Sequence, residues 1–481
     1  MIRTTALWLF IAGVAIYSFK NWYRGALALI ALIAVIEHPD FPKSLAGIQG
    51  LNPWNILMVF VVIAWINERA REGLTFDMET RVKVLLFIYA FFITLAFLRA
   101  ASDLGPLISF YRVAGIDDGK SFLGLFSDHI INCFKWVIPA VMVYDGCRNE
   151  ERLRETIIVV IGVYFLLAVQ TIRWMPLGNI MGGEDMARRA LKILSNEVGF
   201  HRVNMSMMLA GSAWASMFAA GYFENRLMRW GFYFAAVVIT FGMALTGGRT
   251  GYATWLVLGF GYAYLRSKKM LLLLPFAVIG ALAVPGVQDR LLQGFDGEES
   301  KALITQEAGY NAAEGRVDIY AVTSGRTFAW PYVWEKIVEQ PMVGYGRLAM
   351  IRTGVAEYLL ATFGESFPHP HNMYLQWVFD NGLIGFVPVF WFYLIVIFYA
   401  LRMVRGDDPK LKAIGGMLLS LVGALFIAGV GSQTFYPREG SVMMWATIML
   451  VLRWYHLREP GVAPAKPEQP LAARWPAPGA P

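Results

Sequence analysis

The chain contains a long series of apolar segments of the length that helices need to cross a membrane. About 20 apolar residues in a helix span the hydrocarbon core of a bilayer. The segments lie at about 4–19, 54–67, 84–98, 130–144, 156–172, 203–222, 229–246, 252–265, 270–286, 373–401, 413–435 and 440–455. Residues 25–36 form a further, shorter one. The sequence therefore predicts an all-α polytopic membrane protein with about 12–13 transmembrane helices.

Composition supports a membrane protein and disfavours a soluble one. Hydrophobic residues make up 57% of the chain and charged residues 16%, whereas soluble domains are about a quarter charged. No stretch resembles a cleaved signal peptide, so we expect the first apolar segment to remain as an anchor or span. The net charge of +7 lies largely in short loops. It gives little reason to expect a nucleic-acid partner.

Lysine and arginine are concentrated in alternate loops, and this bias predicts the orientation. The basic residues of these loops are Arg69, Arg71, Arg81, Lys83, Arg148, Arg152, Arg154, Arg226, Arg229, Arg266, Lys268, Lys269, Arg402, Arg405, Lys410, Lys412, Arg453 and Arg458. We expect them to be cytoplasmic. The other set of loops, about 37–53, 100–129, 173–202, 247–251, 287–372 and 436–439, should face outward.

These patterns divide the chain into four regions. Residues 1–286 should form an N-terminal transmembrane bundle, and 287–372 one large outer loop. Residues 373–456 should form the C-terminal transmembrane helices. The remaining 457–481, rich in Pro and Ala, are typical of a disordered cytoplasmic tail.

The large outer loop is acidic, with 7 Lys/Arg against 11 Asp/Glu between residues 287 and 370. Within it, Phe328 to Glu339 has the pattern of an amphipathic helix that Pro341 ends. Trp330, Trp334, Ile337 and Val338 are expected on one side of it. The helix can act as a lid on the membrane surface or on the bundle, or it can be part of a packed structural loop.

A histidine stands where this loop meets a long apolar segment. The stretch Pro368–Asn372 contains His369 and His371 and continues directly into Met373–Phe390. A histidine has an ordinary pKa near neutrality, as a general base needs. His371 is therefore the candidate proton-transferring group, with His369 as a structural neighbour. The alternative is that His371 only caps a span.

A row of polar residues follows this histidine. Asn372, Gln376 and Asp380 recur every four residues, which places them on one face of a helix. An ionisable residue inside a span usually faces the bundle interior or a water-filled cavity. We expect the three to border a cavity. Gly382 and Gly385 follow at helical spacing, where small residues allow another helix to approach closely.

Two glycine–arginine motifs lie in outward-facing regions. Thr246–Gly251 places three glycines around Arg249. Exposed N–H groups in such a turn can bind an anion, and the arginine fork suits phosphate oxygens. Ser324–Thr327 places Arg326 just before the amphipathic helix. The plain alternatives are a tight turn between helices for the first motif and a solvated helix N-terminus for the second.

The sequence shows no convincing metal or nucleotide site. Asp117 and Asp118 form an acidic pair in an outer loop, which is more typical of a solvated turn than of a cation site. We find neither a zinc-spaced His/Cys cluster nor a phosphate-binding loop for ATP. We therefore expect no metal and no cofactor, and an ATP-driven pump is disfavoured.

Together these motifs resemble the O-antigen ligase and polymerase superfamily. His371-Asn372, nine residues, Gly382, two residues and Gly385 are similar to that family's histidine signature. Thr246–Gly251 resembles its outer arginine turn. Gly325-Arg326 through Trp334, and then Gln340–Gly346, resemble the loop before its histidine. The resemblance covers about 240–390.

The resemblance implies a C-type glycosyltransferase architecture in the bacterial inner membrane, with a periplasmic active site. Such an enzyme moves a glycan from undecaprenyl diphosphate to an acceptor, without a divalent metal and with inversion. His371 would deprotonate or orient the acceptor hydroxyl. Arg249 and Arg326 would stabilise the leaving diphosphate. Asn372, Gln376 and Asp380 would line the cavity.

The acceptor is left open by the sequence. We favour a ligase that uses lipid A-core as its acceptor. A polymerase for O-antigen or exopolysaccharide is the first alternative, and a protein O-oligosaccharyltransferase is another. A transporter or flippase for lipid-linked sugars belongs to a different class. Such proteins often show internal repeats with broken helices, which we do not find in this sequence.

Overall fold

The fold is built almost entirely from helices. The computed structural model describes residues 2–45, 48–73, 77–115, 122–175, 178, 186–292, 323, 325–364, 367–431 and 433–457. Within these ranges the strands are β1 (Ser44–Leu45) and β2 (Ile48–Gln49), a short antiparallel pair. Three predicted features lie outside the described residues: most of the large loop at 293–322, the pair Asp117–Asp118, and the tail from 458 onward.

The described helices of the first half of the chain all precede the Thr246–Gly251 motif. They are α1 (Ile2–Ser18), α2 (Trp22–Ala31), α3 (Pro53–Arg71), α4 (Thr80–Ala101), α5 (Gly105–Val113), α6 (Phe122–Phe126), α7 (Asn132–Lys135), α8 (Ile138–Gly146), α9 (Glu150–Trp174), α10 (Met186–Ile193), α11 (Arg202–Ala219) and α12 (Arg226–Leu245).

The second half contains the helices that carry the candidate site. They are α13 (Arg249–Leu265), α14 (Met270–Leu282), α15 (Pro285–Leu292), α16 (Arg326–Glu339), α17 (Ala349–Arg352), α18 (Val355–Phe363), α19 (Met373–Arg405), α20 (Pro409–Ala428) and α21 (Val442–His456).

Several of these helices are suited to a membrane. Among the described residues, α4, α9, α12, α19 and α20 are long and apolar enough to cross a bilayer, and α14 with α15 adds a sixth if this bent pair is one span. Large apolar side chains such as Phe87, Leu227 and Phe276 are exposed on their outer surfaces, as lipid contact requires. The predicted all-α polytopic membrane fold is confirmed.

Helix α11 lies at the centre of the bundle and packs against α12, α13 and α20. Small residues allow this close approach. A Cβ atom on Gly211 of α11 would stand 2.7 Å from the Cβ atom of Ala424 on α20. Close backbone approach through small side chains is the usual means of helix association in membranes.

Three of the predicted cytoplasmic loops meet at one end of the bundle. Arg69 Nε donates a hydrogen bond of 2.8 Å to Asp145. Arg148 and Arg453 both donate to the carboxylate of Asp77. These contacts join α3, the α8–α9 loop and α21, so the basic loops lie at the same end. Which side of the membrane this end faces stays a prediction.

Helix α19 is interrupted at Gly382, contrary to the continuous helix that the sequence spacing predicted. Gly382 has φ 65° and ψ −176°, which is not helical. A Cβ atom there would collide with the Met342 carbonyl group. Gly385, in contrast, has the predicted role, because its backbone packs against Phe92 of α4.

The segment Pro341–Arg347 fills this interruption. Breaking a helix leaves backbone groups without partners, and inside a bundle they must be paired by protein. After the break, Leu383 N donates a hydrogen bond to Pro341 O (2.8 Å) and Ile384 N donates one to Met342 O (3.1 Å). Before the break, Phe379 O accepts a hydrogen bond from Tyr345 N (2.8 Å) and Asp380 O accepts one from Gly346 N (2.7 Å).

Helices α16, α17 and α18 have an apolar core that they share with α5 and the start of α19. The predicted amphipathic helix therefore exists, as α16, but its predicted face is wrong. Phe328, Ala329, Val333 and Ile337 are buried, whereas Trp334 and Val338 are each 59% exposed. Docking against α18 and α19 decides which face is buried, and the sequence pattern does not record that docking.

Residues 130–144, predicted as one span, are also interrupted. A π-helical turn ends at Ile131, α7 ends at Lys135, and α8 begins at Ile138. Pro139 lies in the first turn of α8. Proline favours that position because it has no N–H group to donate within a helix.

We expect Gly382→Ala to destabilise the protein strongly. Alanine at a positive φ, with its Cβ atom against a backbone carbonyl, should cost at least about 1–3 kcal/mol. Gly162→Ala in α9 is the matched control, because a Cβ atom there has no neighbour within 4 Å and alanine favours a helix. Thermal unfolding in detergent measures both. Equal unfolding temperatures for the two variants would contradict this account.

Candidate active site

His371 lies in a short loop that is held on both sides. Its backbone is left-handed, with φ 52°, which is uncommon for a residue with a side chain. Trp330 Nε1 of α16 donates a hydrogen bond of 3.0 Å to the carbonyl oxygen of Pro370. Met373 N donates one of 2.8 Å to Gly429 O at the end of α20. The imidazole is therefore placed by contacts from both α16 and α20.

Asn372 ends this loop by capping α19. Its side-chain oxygen accepts hydrogen bonds from the backbone N–H groups of Tyr374 (3.0 Å) and Leu375 (3.1 Å). Capping of this kind satisfies donors that the first turn leaves unpaired. In this structure the oxygen of Asn372 thus fixes the start of the helix directly after His371.

Both histidines of this loop are held neutral. Burial, followed by the charges of Arg326 and His201, lowers the pKa of His371 to about 4. Burial and the neighbouring His371, Arg438, Arg347 and Arg326 lower the pKa of His369 well below its ordinary value. The two rings are 4.1 Å apart between centroids. A neutral imidazole has a lone pair that can accept a proton.

Four arginines from four helices converge, and one of them, Arg326, is close enough to His371 to affect its pKa. We call Arg202, Arg249, Arg290 and Arg326 the arginine cluster. Burial and the charges of Arg290, Arg326 and Arg202 lower the pKa of Arg249 to about 10, and burial and Arg290 lower that of Arg326. Like charges gathered in a partly buried place create a strong field for an anion.

The sequence pointed to Arg249 and Arg326 but missed the other two members of the cluster. Arg202 begins α11 and Arg290 lies on α15. Both donate hydrogen bonds to the carbonyl oxygen of Gly247, at 3.2 Å and 3.1 Å. One signal was available, since both residues stand next to the ends of apolar segments that were predicted to face outward. Only the tertiary fold shows that they meet.

The glycines of the Thr246–Gly251 turn have a packing role. Cβ atoms on Gly248 or Gly251 would collide with Ser206 of α11. Gly247 has φ 65°, which glycine adopts without strain. The turn therefore brings the start of α13 against α11 and sets Arg249 beside Arg202.

The predicted polar row on α19 divides into separate environments. Asn372 caps the helix, Gln376 is 6% exposed, and Asp380 is 2% exposed. The Asp380 carboxylate accepts hydrogen bonds from Arg347 Nη1 (3.0 Å), the Ala349 N–H group (3.1 Å) and the Tyr436 hydroxyl (3.0 Å). It forms a buried ion pair that joins the inserted segment to α19.

A small cavity of about 50 Å³ lies between α11, α20 and the segment before α21. Aromatic rings form much of its wall, including those of Tyr393, Phe435 and Trp445. The polar side chains that line it are Asn204, Gln433, Thr434, Tyr436, Arg438, Glu439 and Ser441. No sequence motif had pointed to a function for the segment before α21.

Comparison with known proteins supports the resemblance found in the sequence. Residues 234–390 match the family model described as O-Antigen ligase, so this part of the chain is similar to that family. The match covers about a third of the chain. It contains Arg249, Arg290, Arg326 and the His371 loop. The predicted family resemblance is confirmed.

A curated relative points the same way. A protein of Rickettsia conorii named "Putative polysaccharide ligase" is 30% identical over 95 residues. That stretch covers 18% of this chain and 22% of the relative. Both comparisons thus show similarity to polysaccharide ligases over at most about a third of this multi-pass membrane protein.

We expect the Arg347–Asp380 pair to show strong thermodynamic coupling. Asp380→Ala leaves a buried guanidinium without its counter-charge, which should cost about 3–5 kcal/mol of unfolding free energy. The double variant with Arg347→Ala should lose clearly less than the sum of the single losses. Unfolding in detergent tests this double-mutant cycle. Lys336→Ala, which breaks an exposed pair with Glu339, is the control and should have little effect. Additive losses would contradict the coupling.

Proposed function

We propose that the chain is an inverting glycosyltransferase that moves a glycan from undecaprenyl diphosphate to an acceptor. The acceptor we favour is lipid A-core, which makes the protein an O-antigen ligase. The observation that carries the proposal is the placement of His371 beside the arginine cluster, within the part of the chain that matches the family. The reaction would take place on the periplasmic face of the bacterial inner membrane.

His371 supplies the basic group in this proposal. The acceptor hydroxyl oxygen forms the new bond to the anomeric carbon, and its proton passes to the imidazole. The bond from the anomeric carbon to the diphosphate oxygen breaks at the same time, from the opposite face. The configuration is therefore inverted, and the electron pair leaves with the diphosphate.

The arginine cluster stabilises the leaving group. Charge builds on the diphosphate oxygens in the transition state, where fixed guanidinium groups are most effective. The cluster can supply the positive charge that a divalent metal supplies in other enzymes. A bound diphosphate would also offset the charge of Arg326 and so make His371 a stronger base at the moment of transfer.

An apolar groove beside the arginine cluster suits the lipid part of the donor. It has a volume of about 450 Å³ and is lined by α11, α12, α13, α14 and α15. Leu245 and Val287 are among its lining residues. Leu245 lies just before the Gly247 turn, and Val287 lies one helical turn from Arg290. A polyprenyl chain in this groove would therefore present its diphosphate to the cluster.

A transfer assay with purified protein tests the proposed function. We expect transfer of glycan from undecaprenyl diphosphate to lipid A-core. His371→Ala should lower the rate by roughly 100-fold or more, since general base catalysis contributes about 10²–10⁴-fold. Arg249→Gln should mainly impair the departure of the diphosphate. Arg112→Gln is the matched control, because Arg112 is an exposed arginine on α5.

The assay also separates the alternatives. A second lipid-linked repeat offered as acceptor would be extended by a polymerase, and a protein acceptor would be modified by an oligosaccharyltransferase. A transporter would release no lipid diphosphate in detergent. Normal transfer by His371→Ala would reject the assigned base.

The pH dependence of the reaction should reflect the neutral His371. A base with a pKa of about 4 stays unprotonated down to about pH 5. We expect kcat/KM to be level above that pH and to fall below it. Arg326→Gln removes a cation that disfavours the imidazolium ion, so the acidic limb should move to higher pH. His201 and His369 also face His371, and His201→Gln should cause a smaller shift in the same direction. An acidic limb near pH 6.5 in the wild type would contradict the burial of this group.

A further inference from the structure

A further groove lies where α4, the inserted segment and α19 meet, and we call it the α4 groove. It has a volume of about 190 Å³. Phe91, Leu95 and Arg99 of α4 line it, together with Val343 and Ile384. The side chains of Phe91, Val343 and Ile384 are each about half exposed. The groove therefore opens onto the outer surface of the bundle, and none of these residues lines the apolar groove beside the arginine cluster.

The α4 groove extends from the end of a membrane-crossing helix toward its middle. Phe91, Leu95 and Arg99 recur every four residues and so lie on one face of α4. Measured along the helix from Arg99, Leu95 is about 6 Å away and Phe91 about 12 Å away. Arg99 lies in the last turn of α4, where the arginines of spanning helices reach the level of the lipid headgroups. The groove thus has apolar walls at the depth of acyl chains and a cation at the depth of headgroups.

Arg352 of α17 places a second cation next to Arg99. The two side chains meet at Gly346, where a Cβ atom would stand 2.7 Å from Arg99 Cβ and 2.8 Å from Arg352 Nη1. Burial and then the charge of Arg99 lower the pKa of the Arg352 guanidinium, whereas Asp103 and Asp380 raise it. Like charges held this close attract an anion.

The bonds that these arginines make use only part of their donors. Arg99 donates to the carbonyl oxygens of Val343 and Gly344, both at 2.6 Å, and Arg352 donates to that of Tyr345. A guanidinium has five N–H donors. In the part of the chain that the structure describes, the buried Nε atom of Arg352 has no hydrogen-bond partner. The pair therefore retains donors for the oxygens of a bound anion.

The charges around the pair leave a positive surplus. Asp103 offsets one of the two arginines. Other acidic side chains of this region are already paired with their own cations, Asp380 with Arg347 at 3.0 Å and Glu339 with Lys336 at 2.7 Å. The surplus is thus one positive charge, at the headgroup end of an apolar groove.

We propose that the α4 groove binds an anionic phospholipid of the surrounding bilayer. Its phosphodiester would bind Arg99 and Arg352, and part of an acyl chain would lie along Leu95 and Phe91. A phosphodiester carries a single negative charge, which matches the surplus, and guanidinium groups bind phosphate oxygens through charge-assisted hydrogen bonds. The lipid would cover the inserted segment, since Val343 lines the groove and its carbonyl oxygen binds Arg99. It would therefore stabilise that segment in the interruption of α19.

Lipid binding to the purified full-length protein in detergent, after removal of its native lipids, tests this site. Phosphatidylglycerol, phosphatidylcholine and inorganic phosphate are titrated separately. Native mass spectrometry counts the bound lipid, and thermal unfolding measures stabilisation. We expect one phosphatidylglycerol to bind tightly and to raise the unfolding temperature. Phosphatidylcholine should bind more weakly, because its headgroup brings a cation to the arginines, and inorganic phosphate should give no stabilisation.

Two substitutions test the two ends of the groove. Arg99→Gln should weaken phosphatidylglycerol binding by roughly 10-fold, the usual effect of losing a charge-assisted hydrogen bond, and Arg112→Gln on α5 should not. Ile384→Trp should fill the groove and weaken binding with both arginines in place. Leu394→Trp is its matched control, because Leu394 is a partly exposed residue of α19 that lies about 15 Å further along the helix.

Three outcomes would overturn the proposal: equal binding of the two lipids, stabilisation by inorganic phosphate alone, or unchanged binding of phosphatidylglycerol to Ile384→Trp. The lipid comparison and Ile384→Trp keep the test decisive even if Arg99→Gln does not fold. None of these measurements contains a glycan. A protein that binds phosphatidylglycerol through Arg99 and transfers no glycan would reject the proposed function and retain this site.

Discussion

The buried ion pair between Arg347 and Asp380 connects the parts of the protein on which the candidate site depends. It holds the inserted segment in the interruption of α19, and Arg347 N also donates to Ala96 O of α4 at 2.8 Å. Tyr436 joins the same carboxylate from the segment before α21. Because a buried charge without a partner is costly, these elements are stable only together. The helix that begins after His371 is therefore fixed against its neighbours on several sides.

The candidate site places its positive charges together, beside histidines that are neutral. The arginine cluster gathers four cations that burial and mutual repulsion disfavour, and neutral histidines lie next to them. Such an arrangement creates a positive field that favours a polyanion. The apolar groove starts next to the same cluster, so the charged and apolar parts of a lipid diphosphate would meet complementary surfaces.

Much of the site was predictable because local motifs carried it. The sequence singled out His371, Arg249 and Arg326 because each lies beside glycines or prolines near the start of a predicted helix. The structure brings the three together. Arg202 and Arg290 did not stand out. Each is a single cation at the edge of an apolar segment, as are many others in the chain. Their proximity depends on how distant helices pack, which no local pattern records.

The sequence by itself determined the helical membrane fold, the family resemblance and the start of α19, because apolar length and short motifs are local properties. The tertiary structure decided the interruption of α19, the buried face of α16 and the environment of Asp380. Gly382 fits a continuous helix in sequence, and it breaks the helix only because the Pro341–Arg347 segment supplies replacement hydrogen bonds. Long-range backbone pairing and desolvation of charge thus shape the site, and both depend on contacts between residues far apart in the chain.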